Sequence, residues 1–104
     1  MNYVNCIIQI LEIPPIQFCK NNVPTLKFRI RLPLIKNNIL SNTIIEGIVW
    51  GTLVSDIRNY YRINDYVLAE GYISIVFNKQ SNKRLLIFNI LKLYPFSFSF
   101  NLER

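Results

Sequence analysis

Three strands, one short helix and two further strands, in that order, predict an all-β fold: a small closed barrel with a single helix between its third and fourth strands. Five apolar-rich stretches carry β-type patterning, and only one stretch, residues 52–65, switches to apolar spacings of three and four. Pro and Asn gather in several of the intervals, where the chain has to turn. With 104 residues and a hydrophobic fraction of 51%, the chain has material for one core and not for two.

The first strand is read from Asn2 to Glu12, rich in Ile and Val and ended by Pro14-Pro15, which cannot serve a central ladder. Lys20-Asn21-Asn22-Val23-Pro24 is a turn signal. The second strand, Thr25 to Leu32, alternates without a slip: Leu26, Phe28, Ile30 and Leu32 face one way, and Lys27, Arg29 and Arg31 the other. Lys36 to Asn42 reads as a polar loop. Thr43 to Trp50 is the third strand, with Ile45, Gly47 and Val49 on one face and Ile44, Glu46, Ile48 and Trp50 on the other.

In "TLVSDIRNYYRIND", Leu53, Ile57 and Tyr60 or Tyr61 form the apolar stripe of a helix of about three turns. Thr52 is its expected cap, and Asn64-Asp65 turns the chain after its end. Tyr66 to Phe77 and Leu85 to Tyr94 are the fourth and fifth strands, joined by a polar hairpin tip, residues 78–84, that carries Lys79, Lys83 and Arg84. This order is that of the five-stranded Greek-key barrel of the OB type. An SH3-like barrel rarely holds so long a helix there, and an open α+β sheet would leave strand edges uncovered. Residues 1–95 are therefore expected to form the domain and 96–104 a short tail.

Twelve basic against six acidic residues, with no histidine, give a formal charge of +6. That excess concentrates polyanions near the surface without choosing between nucleic acid and acidic lipid. The chain has 17 Ile and 13 Asn but one Ala and three Gly, the imprint of an AT-rich genome such as an organelle's. The N-terminal sequence lacks the pattern of a secretory or transit signal, and no run approaches ~18 apolar residues, so no membrane span is expected.

Catalysis is not expected. Without histidine no Ser-His or Cys-His couple is possible, the six carboxylates show no acid/base spacing, and Gly47, Gly51 and Gly71 are too scattered for a phosphate loop. Cys6 and Cys19 cannot complete a zinc site and read as ordinary thiols, so no metal or cofactor is expected.

The stretch "VWGTLVSDIRNYYRINDYVLAEGYI", residues 49–73, resembles the bacterial single-stranded DNA-binding protein family. The matching residues are Trp50, Gly51 and Leu53 at the helix start, Asp65 at the turn, and Val67, Glu70, Gly71 and Ile73 in the following strand. The opening "MNYVNCIIQILEIPPIQF" is similar to the family's start, and "LKFRIRL" falls at its second strand, so the resemblance covers about residues 1 to 95. It implies an OB fold, binding of single strands without sequence preference, and assembly as a homodimer or homotetramer. Short plastid-encoded members match the length and composition, which places the expected location in a plastid, or otherwise in a bacterial cytoplasm.

The chain departs from the family pattern at several positions. Asn64 replaces a usual Gly, Ile44 stands where a second stacking Trp is common, Glu46 where a cation is commoner, and Phe77 near where a hairpin Trp is found. The family's acidic, apolar C-terminal tip is missing from "FNLER", so recruitment of enzymes through such a tip is not expected.

Single strands are held by cations along the phosphates and by aromatic faces under the bases. Lys27, Arg29 and Arg31 repeat every ~7 Å along one strand face and can follow a backbone. Trp50 is the first stacking candidate, followed by Tyr72 and Phe77, while Lys79, Lys83 and Arg84 are placed to clamp the strand from the hairpin. The expected function is sequence-tolerant binding of single-stranded DNA in replication, repair or recombination. The alternatives are an OB module for protein interaction, or one for RNA or primosome-type binding, on the same barrel.

Overall fold

The computed structural model describes residues 2–18, 20–36 and 39–96. Alternation is obeyed most strictly in the strand after the first turn, where Leu26, Phe28, Ile30 and Leu32 are buried while Lys27 and Arg29 are exposed. The strands are β1 (Asn2–Ile10), β2 (Gln17–Phe18), β3 (Pro24–Lys36), β4 (Ile39–Trp50), β5 (Tyr66–Asn78) and β6 (Lys83–Pro95). One helix, α1 (Thr52–Tyr60), lies between β4 and β5, and a short 3-10 turn spans Lys20–Asn22.

The sheet order is β1-β5-β6-β4-β3-β2, and a further β1–β3 pairing closes five of these strands into a ring. Closure rests on two registers, Gln9↔Arg31 and Ile10↔Ile30. β4 and β6 run parallel and meet only over Glu46–Ile48 and Ile87–Asn89. Beyond that contact the β3–β4 and β5–β6 hairpins extend as two arms from the same end of the ring.

Inside the ring lie Ile8, Ile10, Leu26, Phe28, Ile30, Val49, Val67, Phe88 and Ile90, and α1 adds Val54 and Ile57. Gly47 also faces inward, where a Cβ would sit close against side-chain methyls of Ile90 and Ile30. At the chain's return from α1, Asn64 takes the left-handed conformation, φ 78°. Its N–H donates to the Ile10 carbonyl, and the Ile10 N–H donates back to the Asp65 carbonyl.

Several sequence expectations need correcting. Lys36 and Asn42 belong to strands: β3 and β4 stay paired from Thr25↔Trp50 to Lys36↔Ile39, so the expected loop shrinks to residues 37–38, which lie outside the described set. β1 ends at Ile10, two residues early. Thr52 is the first helical residue and makes no side-chain cap; the N-cap is Gly51, at φ 64° and ψ −132°. On the helix, Val54 and Ile57 are buried, Leu53 and Tyr61 pack against the core at its margin, and Tyr60 is exposed. Cys19 and, apart from Phe96, the proposed tail 96–104 lie outside the described residues.

Candidate nucleic-acid interface

The outer face of β3 and β4 follows from register. Thr25 faces Trp50, Lys27 faces Ile48, Arg29 faces Glu46 and Arg31 faces Ile44. Residues opposite one another on one face of an antiparallel pair have Cβ atoms about 4.5–5.5 Å apart, so Lys27 lies against an apolar group and Arg29 against a carboxylate at close range. Trp50 keeps 45% of its surface exposed, diagonal to Lys27 on the neighbouring strand.

Arg31 departs from the stripe. Its Nη1 donates to Gln9 Oε1 at 3.0 Å, across the seam where β1 meets β3, and its Nε is buried without a hydrogen-bond partner. The cation stripe is thus two residues long on the open face, and the third cation is built into ring closure.

Two clefts flank Glu46. One, of about 460 Å³, opens where the arms diverge and is bordered by Arg29, Ile44, Glu46, Arg84 and Leu85. The other, of about 330 Å³, is bordered by Glu12, Pro14, Pro15, Gln17, Lys27 and Glu46. The first cleft therefore carries Arg29 and Arg84, and the second carries Lys27 beside Glu12, with the half-buried Glu46 between them.

The remaining candidates are spread more widely. Tyr72 and Phe77 are five residues apart on β5 and so point to opposite faces. Tyr72 lies on a row of mutual register partners that crosses the ring's outside: Lys27, Ile48, Asn89, Tyr72 and Tyr3. Phe77 is opposite Arg84 on the β5–β6 arm, 54% exposed, with Lys83 opposite Asn78 and Lys79 in the turn beyond. Sequence reasoning brings all nine residues to one groove; the structure gathers Lys27, Arg29 and Trp50 there, with Arg84 across the arm cleft, and puts Tyr72, Phe77, Lys79 and Lys83 further off.

Two residues with a place on this surface were not singled out. Tyr3 packs edge-to-face on Tyr72, with ring centroids 5.1 Å apart at 74°, and its hydroxyl donates to Glu70 Oε1 at 2.8 Å. That hydrogen bond, and the negative charge beside it, raise the Tyr3 pKa above its usual value. Asn89 donates from Nδ2 to the Tyr72 carbonyl and to Ser74 Oγ, fixing its amide in the middle of the row. Neither partnership is legible from a single strand's pattern, because both depend on cross-strand register.

A 75-residue stretch, 72% of this chain, is 35% identical to a protein of Trieres chinensis named "Putative single-stranded DNA-binding protein ycf41". Over that stretch the chain is similar to a named single-stranded DNA-binding protein. The match spans 66% of that relative's length, a little under two thirds. No family model matches the sequence.

Solved structures agree on the fold. The SSB domain of a Synechococcus protein superposes with a TM-score of 0.70 at 18% identity, covering 90% of this chain and 94% of its own. The priB protein of Ralstonia solanacearum gives 0.73 at 14%, covering 92% and 99%. A small single-stranded DNA-binding protein of Streptomyces coelicolor gives 0.68 at 11%, covering 89% and 92%. At such identities the likeness carries the OB architecture and nothing about individual side chains.

Proposed function

We propose that this protein binds single-stranded DNA on the outer face of β3 and β4, with Trp50 stacking on a base and Lys27 and Arg29 holding phosphates. The observation that carries the reading is the exposed Trp50 on the same face as two cations, one strand away, that make no hydrogen bond or ion pair among the described residues. Stacking contributes ~1–3 kcal/mol per base and accepts any base, and phosphate contacts are blind to sequence, so the contact is sequence-tolerant. The similarity to that named relative supports the same reading, as does the charge of +6. A place in plastid replication or repair is supported by the AT-biased composition and by the ycf41 name of the relative.

Trp50 is the sole tryptophan, so its fluorescence reports this site directly. Titration with oligo-dT at low salt should quench it deeply, and raising salt should weaken binding with a log–log slope of about −0.7 for each phosphate neutralised. Absence of quenching at low salt would remove the reading and leave the protein-interaction alternative.

The proposal includes a second copy of the chain as partner. Over residues 2–8, β1 pairs with β5 on one side, and among the described residues no strand covers its other edge. An open edge presents unpaired backbone groups to an identical edge. The β5–β6 arm adds exposed Ile75, Phe77 and Leu86 on one face. Light scattering should give twice or four times the 12.3 kDa chain mass, and a monomer at high concentration would dismiss this partner.

A further inference from the structure

We infer that Glu46, beside its register partner Arg29, reads a base edge and favours guanine over thymine or uracil at one position of the bound strand. The inference rests on the single-strand-binding reading and sharpens it. The two residues are direct register partners on the outer face, yet neither has a hydrogen bond or ion pair with the other or with any described group. Glu46 is half-buried, and its carboxylate has no donor among the described residues. A carboxylate in that condition gains from any N–H brought to it.

Position decides which part of a nucleotide brings the donor. Glu46 stands between the two clefts, with Lys27 in one and Arg29 and Arg84 in the other. Phosphates are drawn to Arg29 and Arg84 on one side and repelled by Glu46 and, on the Lys27 side, by Glu12, so a base edge is what lies over Glu46. Trp50 is four residues along the same strand, ~13 Å away, and stacks on a different base.

The edges of unpaired bases differ in what they offer. Guanine presents adjacent N1–H and N2–H donors that match both oxygens of one carboxylate. Adenine and cytosine offer one amino group each. Thymine and uracil place a single N3–H between two carbonyl oxygens, which face the carboxylate unfavourably. In a duplex these edges are already paired, so the same chemistry rejects double strands.

The test is Trp50 fluorescence titration of the wild-type chain and of Glu46→Gln with a short oligo-dT and with the same oligomer carrying guanine, adenine or hypoxanthine at its central positions. The guanine oligomer should bind the wild type at least about fivefold tighter than oligo-dT, the lower end of what one bidentate pair discriminates. Hypoxanthine, which lacks the 2-amino group, should lose most of that gain. In Glu46→Gln the guanine advantage should fall below about twofold, while oligo-dT binds more tightly because a repulsive charge is gone.

Equal wild-type affinity for all four oligomers overturns the inference and leaves single-strand binding standing. So does a Glu46→Gln variant that tightens on every oligomer by one common factor, which would make Glu46 a repeller of phosphate and nothing more. Failure to bind any oligomer at low salt overturns this inference and the functional reading together. Glu46 makes no hydrogen bond among the described residues, so the variant is expected to fold as the parent does.

Discussion

Replacing Gly71 with alanine is expected to cost about 3 kcal/mol or more and to lower the thermal midpoint by roughly 12 °C or more. Gly71 sits where the β5–β6 register slips, between Glu70↔Lys92 and Gly71↔Ile90. A Cβ built there falls 2.0 Å from the Asn89 carbonyl oxygen and 2.9 Å from the Asn89 carbonyl carbon and the Ile90 Cα. These are backbone atoms, so no side-chain rotamer relieves the overlap, and β6 has to move away carrying Phe88 and Ile90 out of their places in the core.

The other glycines make the control. At Gly47 the new methyl meets only side-chain methyls of Ile90 and Ile30, at 3.3 and 3.4 Å, which can give by a few tenths of an ångström. At Gly51 there is open space, and the cost comes from φ 64° with ψ −132°, about 1–3 kcal/mol for a residue with a side chain. Melting curves followed by circular dichroism should therefore rank alanine at the three sites with Gly71 far the worst. A Gly71→Ala midpoint close to the parent's would mean that β5 and β6 do not approach one another as described.

The sequence carried the strand order, the single helix and most of the inward-facing residues because each of these depends on local periodicity. Leu26, Phe28 and Ile30 on β3, and Ile45, Gly47 and Val49 on β4, all face inward as alternation requires. The long β3–β4 hairpin was hidden by the polar run after Lys36 and by Pro33. Pairing continues past both because the partners are near neighbours in sequence, which are entropically cheap to bring together. Pro33 lies beyond the last β1–β3 register, Gln9↔Arg31, so β3 is an edge there and tolerates a missing N–H.

The site was legible only as far as one strand reaches. Lys27 and Arg29 emerge from the alternation of β3 alone. The attachment of Arg31 to Gln9, 22 residues earlier, needs the ring to close, as does the row joining Lys27 to Asn89, Tyr72 and Tyr3. The separation of Tyr72 from Phe77 was present in the spacing, since an odd interval on a strand always divides two side chains between faces.

Reversing both Lys27 and Arg29 to Glu should weaken binding of oligo-dT by about 100-fold at low salt and leave the fold intact. Each cation removed deletes a phosphate contact, so the salt slope should shrink by roughly 0.7 per residue, about 1.4 for the pair. Each glutamate added then repels the strand on a face where Glu46 already carries negative charge. Both native side chains are exposed and make no hydrogen bond or ion pair among the described residues, so the exchange leaves no buried group unsatisfied. Extending the reversal to Arg31 would spoil the experiment. A glutamate there can donate nothing to Gln9 Oε1, and it puts a second acceptor into the half-buried seam that closes the ring. Loss of binding in such a triple variant would mix a broken groove with a loosened barrel, whereas the double variant melts near the parent and changes only what it holds. Retention of oligo-dT affinity and of the full salt slope by the double variant would place the nucleic acid on some other face of the ring.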